Sequence, residues 1–407
     1  MKKEILNNLH MQKLQPEHLE QFDNLLRYAF QVTDEELLRI GWEDDDIRKS
    51  KYPILESANV LGWFDDDQLV SQIAVYPMQM NIQGNICDIG FVTGVATYPE
   101  YAGMGLMSGL MKESLTEMRD NKQSICLLYP YSIPFYRRKG WEIISDKMTY
   151  EIKDVQLPKN LTAPGRVRRL EEEAESLELR ELHNRFALKT HGCLVRNELA
   201  WQEYWRWDVE DVTTAIYYSA EDEPLGYVVY LLKKDLMQIK EMVYLNQEAW
   251  KGLWVFITAH NSMIDAVRGS NYSNNSIAFW LEDSDIEETI QPYMMARIVD
   301  FEQFIGQYQF INSGQDEKIS FEITDPLLEW NNRTFTLEFK KNGTHCLVQG
   351  EAKHKVSLSI GTLSALLMSY KSPRYLHRIE RLQADEAGLA FLEAILPKEK
   401  AYISDYL

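Results

Sequence analysis

The sequence predicts a mixed α/β chain, in detail α+β, built as two units of like order followed by a smaller third. Three observations predict it. At 407 residues the chain exceeds what one core usually organises, and roughly two or three domains are expected. A helix, a run of period-two strands, a second helix and a closing strand occur once before and once after the stretch QLPKNLTAPGRVRR (156–169), whose prolines and glycine break any apolar periodicity. From about residue 291 the texture changes to alternating strands and then helices, as a small α+β unit requires. The predicted divisions are therefore 1–155, 156–290 and 291–407.

Taken in order, residues 15–40 read as a helix, with Pro16 and Glu17 at its start and Leu19, Phe22, Leu25, Leu26, Ala29 and Phe30 on one stripe. Val60–Phe64, Leu69–Val75, Met78–Ile82 and Ile86–Thr97 come next as strands, separated by DDDQ (65–68) and a Gly84-Asn85 turn. Gly103–Arg119 is helical, Ile125–Tyr129 a short apolar strand, Pro134–Arg138 a turn of helix, and Trp141–Ile152 a closing strand. In the second unit, Trp201, Tyr204, Trp205 and Trp207 cluster near the end of a helical start and read as core or interface. Strands over Thr214–Tyr218, Leu225–Leu232 and Met237–Leu245 precede a helix Ala249–Arg268 and a strand Ser276–Trp280. The third unit offers strands Lys318–Thr324 and Thr334–Lys340, then helices Leu363–Tyr370 and Ala384–Leu396. Its apolar last residues, through Leu407, are expected to be tucked in.

Composition narrows the function. With 45% hydrophobic, 26% charged and 12% aromatic residues the chain is an ordinary globular one, not a disordered one. Lys and Arg number 43 against 62 Asp and Glu, a net charge of -19, so the average surface repels phosphate backbones and draws cations. No nucleic-acid partner is expected. No apolar run reaches the length of a membrane span and no export signal is apparent, so neither a membrane partner nor export is expected, and a cytoplasmic setting is. Cys87, Cys126, Cys193 and Cys346 lie far apart without metal-ligand spacing, and the eight histidines are scattered; buried reduced thiols and no metal are expected.

The chemistry concentrates in IGFVTGVATYPEYAGMGLMSGLMKE (89–113), which runs strand, Tyr98-Pro99, glycine turn, helix. A Gly-x-Gly turn entering a helix leaves backbone N–H groups unpaired, with the positive end of the helix dipole behind them. At Gly103 and Gly105 a Cβ would obstruct a pyrophosphate. The turn alone also fits an ordinary tight strand-to-helix connection.

The strand VATYPEY, the turn AGMGLM and the downstream LLYPYSIPFYRRKGWEII together resemble the GCN5-related N-acetyltransferases. The sequence departs from that family's phosphate-loop pattern, Gln/Arg-x-x-Gly-x-Gly/Ala, because Ala102 replaces the first residue and Met107 the last. Over its whole length the chain resembles the enhanced intracellular survival (Eis) branch, and MMARIVDFEQFI (294–305) looks like the start of that branch's third domain. The resemblance implies two tandem GNAT-like domains, the second degenerate, followed by a small sterol-carrier-like α+β domain, and a homo-hexamer.

It also implies acetyl-CoA as co-substrate, wedged between the strands Gly90–Thr97 and Ile125–Tyr129. Val95 and Thr97 would pair through their backbones with the thioester and pantetheine, and Ala102, Gly103, Met104, Gly105, Leu106 and Met107 would line the pyrophosphate. Tyr136 would be the general acid, its ordinary pKa near 10 keeping it protonated. Leu407 would supply a carboxylate as base or amine anchor, and Phe30 a substrate-pocket aromatic. Arg137, Arg138 and Lys139 read as solvated surface or as phosphate contacts. The implied reaction is N-acetylation of primary amines on polycationic, aminoglycoside-like small molecules or on lysine side chains. A noncatalytic lipid or acyl-CoA carrier and a transferase using charged transfer RNA are the rival readings, and the acidic balance disfavours the second.

Overall fold

The computed structural model describes residues 8–33, 44–170, 175–206, 212–273 and 275–407, with side chains from residue 51 onward in the second of these segments. Trp207 and residues 34–40 of the expected first helix fall outside them. In chain order the first part runs β1 (Leu9–Lys13), α1 (Leu19–Phe30), α2 (Asp44–Ser57), β2 (Asn59–Asp65), β3 (Gln68–Ile82), β4 (Asn85–Thr97), α3 (Leu106–Asp120), β5 (Ile125–Leu128), α4 (Ile133–Arg137) and β6 (Glu142–Ile143). Next come β7 (Asp146–Lys153), β8 (Arg166–Arg169), α5 (Leu177–Ala187), β9 (Leu194–Val195), α6 (Glu198–Trp205), β10 (Val212–Tyr218), β11 (Pro224–Lys233), β12 (Leu236–Tyr244), α7 (Gln247–Thr258), β13 (Ala266–Asn271) and β14 (Glu287–Pro292). The last part holds β15 (Met295–Ile298), α8 (Phe301–Gln307), β16 (Glu317–Thr324), β17 (Thr334–Phe339), β18 (His345–Val348), β19 (His354–Ser359), α9 (Ile360–Leu367), α10 (Pro373–Arg378), β20 (Leu382–Ala384) and α11 (Glu386–Ile395).

Three sheets result among the described residues. The first is ordered β1-β2-β3-β4-β5-β15-β6 with β9 added beside β3, the second β14-β7-β13-β12-β11-β10-β8, and the third β18-β17-β16-β19-β20. Three strands join a sheet other than that of the unit the sequence places them in: β7, β15, and β9, which pairs with β3 of the first sheet. The expected single strand 141–152 is two: β6 stays on the first sheet, while β7 pairs with β13 and β14 of the second. Conversely β15 enters the first sheet between β5 and β6. A buried ion pair reinforces that crossing, since Arg297 of β15 donates to Asp325 just beyond β16 at 2.6 Å, both side chains inaccessible to solvent.

Other differences are local. The β3–β4 loop is Gln83-Gly84, both at positive φ, because Ile82 pairs with Asn85; that conformation matches the strand twist of a tight hairpin. β3 continues through Pro77, which lies where β2 has ended and β9 has not begun. The helix expected over 249–268 stops at Thr258, and 266–271 is strand β13, while 278–280 is a turn of 3₁₀ helix. Apolar runs of this length fit either period, and pairing with β12 and β7 decided it. Cys87, Cys126 and Cys193 are buried as expected, whereas Cys346 is exposed on the edge strand β18.

The core that positions the site is the face of the first sheet under α3. Leu110, Met111, Leu115 and Met118 pack there against Val75, Val92, Cys126 and Leu128. Full burial of such side chains contributes about 1.5–3 kcal/mol each. Gly90 has no side chain because Met118 lies 2.6 Å from where its Cβ would be.

Candidate active site

The site begins where two strands part. β4 and β5 pair in parallel from Ile89–Ile125 to Val92–Leu128, and no further pairs join them beyond that point among the described residues. On its other side β4 loses register with β3 between Gln72 and Ala74, opposite Gly94 and Val95, a β-bulge that bends the strand away. Bulge and splay together open a cavity of about 590 Å³. It is lined by Phe30, Val92–Thr97, Tyr129, Tyr131, Ser132, Phe135, Tyr136, Arg138, Tyr406 and Leu407.

Tyr136 sits on α4, whose turn begins with Ser132 and Pro134. Its ring meets Phe135 and Trp141 edge-on, at 5.1 and 6.1 Å between centroids. Its hydroxyl has no hydrogen-bond partner among the described residues, while the residue is only 6% exposed. Burial, with the Cys126 thiol nearby, pushes its pKa up to about 12, so the proton stays on at neutral pH. Val95 and Thr97 line the same cavity. The Thr97 hydroxyl is tied to that of Ser71 at 2.7 Å, so its side chain serves the sheet while its backbone borders the opening.

The turn into α3 lies apart from this cavity, at the N-terminal end of that helix. Gly103 and Gly105 have φ of +75° and +82°, conformations that L side chains rarely adopt, and a Cβ on either would meet nothing within 4 Å. Ala102 N–H donates to Pro99 O and Met104 N–H to Tyr101 O, the latter at a long 3.4 Å. The N–H groups of Gly103, Gly105, Leu106 and Met107 have no partner among the described residues. Open space in front of unpaired donors at a helix N-terminus fits a pyrophosphate. Lys139 adds a cation here, its Nζ 2.5 Å from the Ser108 hydroxyl in the first turn of α3. Burial and the neighbouring Arg138 lower its pKa. The three cations of the RRK run thus have different surroundings. Arg137 is held by Glu142 at 2.7 Å, Arg138 lines the cavity, and Lys139 stands beside the turn.

Phe30, at the end of α1, is half exposed and lines the cavity mouth. Leu407 reaches the cavity from the far end of the chain, where its main-chain oxygen accepts a hydrogen bond from Thr93 Oγ1 at 3.1 Å. Ala401, Ile403 and Asp405 ahead of it are buried, in keeping with a tucked-in tail. The structure therefore brings Phe30, Val95, Thr97, Tyr136 and Leu407 into one cavity and leaves Ala102–Met107 in the separate turn into α3. Sequence reading missed Thr93, Tyr129, Tyr131 and Tyr406. Thr93 could have been suspected from its place before Gly94 in a strand already singled out; the tyrosines carry no local signal.

Comparison with known proteins gives the chain three matches to family models. Residues 10–144 and 192–298 each match an Acetyltransferase (GNAT) domain, and residues 301–404 match a Sterol carrier protein domain. No curated protein matches. Among solved structures, the chain is 28% identical to a probable N-acyltransferase of unknown function from Enterococcus faecalis, with a TM-score of 0.88 over 98% of this chain and 100% of that one. A GCN5-related N-acetyltransferase from Anabaena variabilis is 24% identical, TM-score 0.85, with the same coverage. Eis1 from Mycobacterium abscessus is 18% identical, TM-score 0.80, again over 98% and 100%, a likeness of fold.

Proposed function

Because the chain belongs to the GNAT acetyltransferases, an Eis-like enzyme with two such domains and a sterol-carrier-like third, we propose that it acetylates primary amines of polycationic small molecules, aminoglycoside-like, or of lysine side chains, by direct attack in a ternary complex. GNAT domains use acetyl-CoA as co-substrate, which supplies an acyl group on a thiol leaving group. One observation carries the reading. The splay of β4 from β5 opens a cavity lined by a free tyrosine hydroxyl, strand backbone and Leu407, and the strand β4 runs on to a turn with unpaired N–H groups at the start of α3.

Each residue then has a task. Gly103, Gly105, Leu106 and Met107 would offer N–H donors to the pyrophosphate, with Ala102 and Met104 shaping the turn and Lys139 adding charge. The backbone of Val95 and Thr97 would align the pantetheine and thioester. Tyr136 keeps its proton at neutral pH and would give it to the departing sulfur as the new N–C bond forms and the C–S bond breaks. Leu407 would take the proton released by the amine, or hold the ammonium before it is lost, and Phe30 would pack against the substrate at the mouth. No metal has a role in this scheme.

The net charge of -19 supports a cationic substrate. We further propose a cytoplasmic protein that assembles as a homo-hexamer and has neither nucleic acid nor membrane as partner; no helix among the described residues is long and apolar enough to cross a membrane. We divide the chain at 1–155, 156–290 and 291–407, with β7, β9 and β15 crossing those lines into another unit's sheet. Noncatalytic lipid carriage gains little from the third domain, where Phe301, Phe321 and Phe335 are buried in contact with one another. The test is free-thiol release from acetyl-CoA and longer acyl donors across a panel of amines. Release that depends on amine supports transfer; none with any amine overturns it.

A further inference from the structure

The second domain contains a buried cation with no task in the scheme above. Arg196, just after β9, is 0% exposed at its side chain. Two of its guanidinium nitrogens meet the Glu241 carboxylate of β12, at 2.6 and 3.1 Å, and its Nε donates to Asp405 at 2.6 Å. The faces of the guanidinium are covered by Trp201 and Tyr204, whose centroids lie 4.7 and 4.2 Å away. Burial opposes this charge, but Asp405 and Glu241 more than offset it and raise the Arg196 pKa, while Arg196 holds Glu241 down to about 2 against the same burial. Asp405 is 1% exposed and its second carboxylate oxygen is buried without a partner among the described residues. Arg196 is thus the group that makes its burial tolerable.

Asp405 belongs to the tail, not to the second domain. Tyr402 N–H donates to His191 O at 2.8 Å, and the Tyr293 hydroxyl donates to Asp405 O at 3.0 Å. One residue on, the Tyr406 ring meets Tyr129 edge-on at 4.9 Å. Tyr129 and Tyr406 line the first-domain cavity and also a second one, again about 590 Å³, walled by Lys147, Tyr204, Lys240, Tyr272 and Tyr293. The two rings therefore stand between the cavities.

We propose that Arg196 is a positioning residue: by anchoring Asp405 it holds Tyr406 against Tyr129 as the partition that closes the acetyl-transfer cavity against its neighbour, with Leu407 following on, and so sets the size of amine accepted. Two residues of extended chain span only about 7 Å, so loosening at Asp405 is transmitted to Leu407 almost undiminished. The inference rests on the acetyl-transfer reading and deepens it.

The test compares kcat/KM for n-butylamine and for spermine in the full chain and in Asp405→Asn, Arg196→Lys, Tyr406→Ala and Asp405→Asn/Tyr406→Ala. Asp405→Asn is isosteric and keeps the test readable should Arg196→Lys not fold. The expected result is a spermine-to-butylamine ratio raised about tenfold by Asp405→Asn and by Tyr406→Ala, no further by the two together, with KM for acetyl-CoA unchanged. An unchanged ratio in Asp405→Asn, or fully additive effects, overturns the partition. Should the unmodified protein release no thiol with any amine, the reading of the reaction fails instead. Hydrogen exchange over 401–407 then decides the anchor: faster exchange in Asp405→Asn supports it and unchanged exchange refutes it.

Discussion

In the first domain β4 and β5 run together from Ile89–Ile125 to Val92–Leu128 and then part; in the second, β12 and β13 hold from Leu236–Ala266 to Gln238–Arg268 and part likewise. The two helix starts beyond these strands differ. After β4 the chain makes a left-handed glycine turn whose N–H groups are open, and the helix starts with no side chain capping it. After β12 there is no glycine: Asn246 caps α7 by accepting from Ala249 N–H at 2.9 Å. The space beyond that second splay is bordered by Tyr244, Tyr272 and Tyr402, the last delivered by the tail. Two parting strands make room in both domains, but only the first is followed by a helix start with open N–H groups fit for an anion. Equivalent sheets thus give one domain with a candidate site and one whose Arg196 is hydrogen-bonded to the tail at Asp405.

The comparison can be broken first at its chemical end. Tyr136→Phe is expected to lower amine-dependent thiol release by about 10²–10⁴ with the melting temperature little changed; full activity would remove Tyr136 from the reaction. The second domain should instead respond to acid. Burial lowers the pKa of His183 and His191 from 6.5 to about 4, with Arg196 adding to the effect on His183. The unfolded chain binds these protons below pH 6.5 and the folded chain only near 4. Stability is therefore full above pH 6.5 and falls as the pH drops toward 4, by an amount on the order of 3 kcal/mol for each histidine. Denaturant titrations at pH 7.5 and 5 measure it, and His183→Gln should remove about half of the difference, the rest staying with His191.

Smaller effects separate the two helix starts. Gly105→Ala forces a residue to φ near +82° at a strain of about 1–2 kcal/mol. It should raise KM for acetyl-CoA severalfold while kcat holds, since the turn lies apart from the Tyr136 cavity. Asn246→Ala removes a cap, about 1 kcal/mol of stability, and should leave KM for acetyl-CoA unchanged. A matching rise in KM would mean that the second splay takes part in binding after all.

Much of this was legible beforehand. The glycines at 103 and 105 and the strand before them carry their meaning in adjacent residues, because backbone conformation at a helix start is a local property, whereas Tyr136 stood out only through the family resemblance. Legible too were the period-two runs and the acidic balance. Where local pattern was ambiguous the reading slipped, as at 249–268, where a helix and a strand share one apolar stretch. No sequence pattern says that MARI at 295–298 belongs beside β5, since a short buried strand suits any sheet that needs one. Nor does it say that Thr93 meets Leu407, Arg196 meets Asp405, or Tyr129 meets Tyr406. By itself the sequence determined the glycine turn and most of the order of strands and helices, through short-range sterics and periodicity. Only the tertiary structure decided which strands share a sheet and which side chains share a cavity, because those contacts join residues far apart in the chain and are selected by burial and charge pairing once the domains have met.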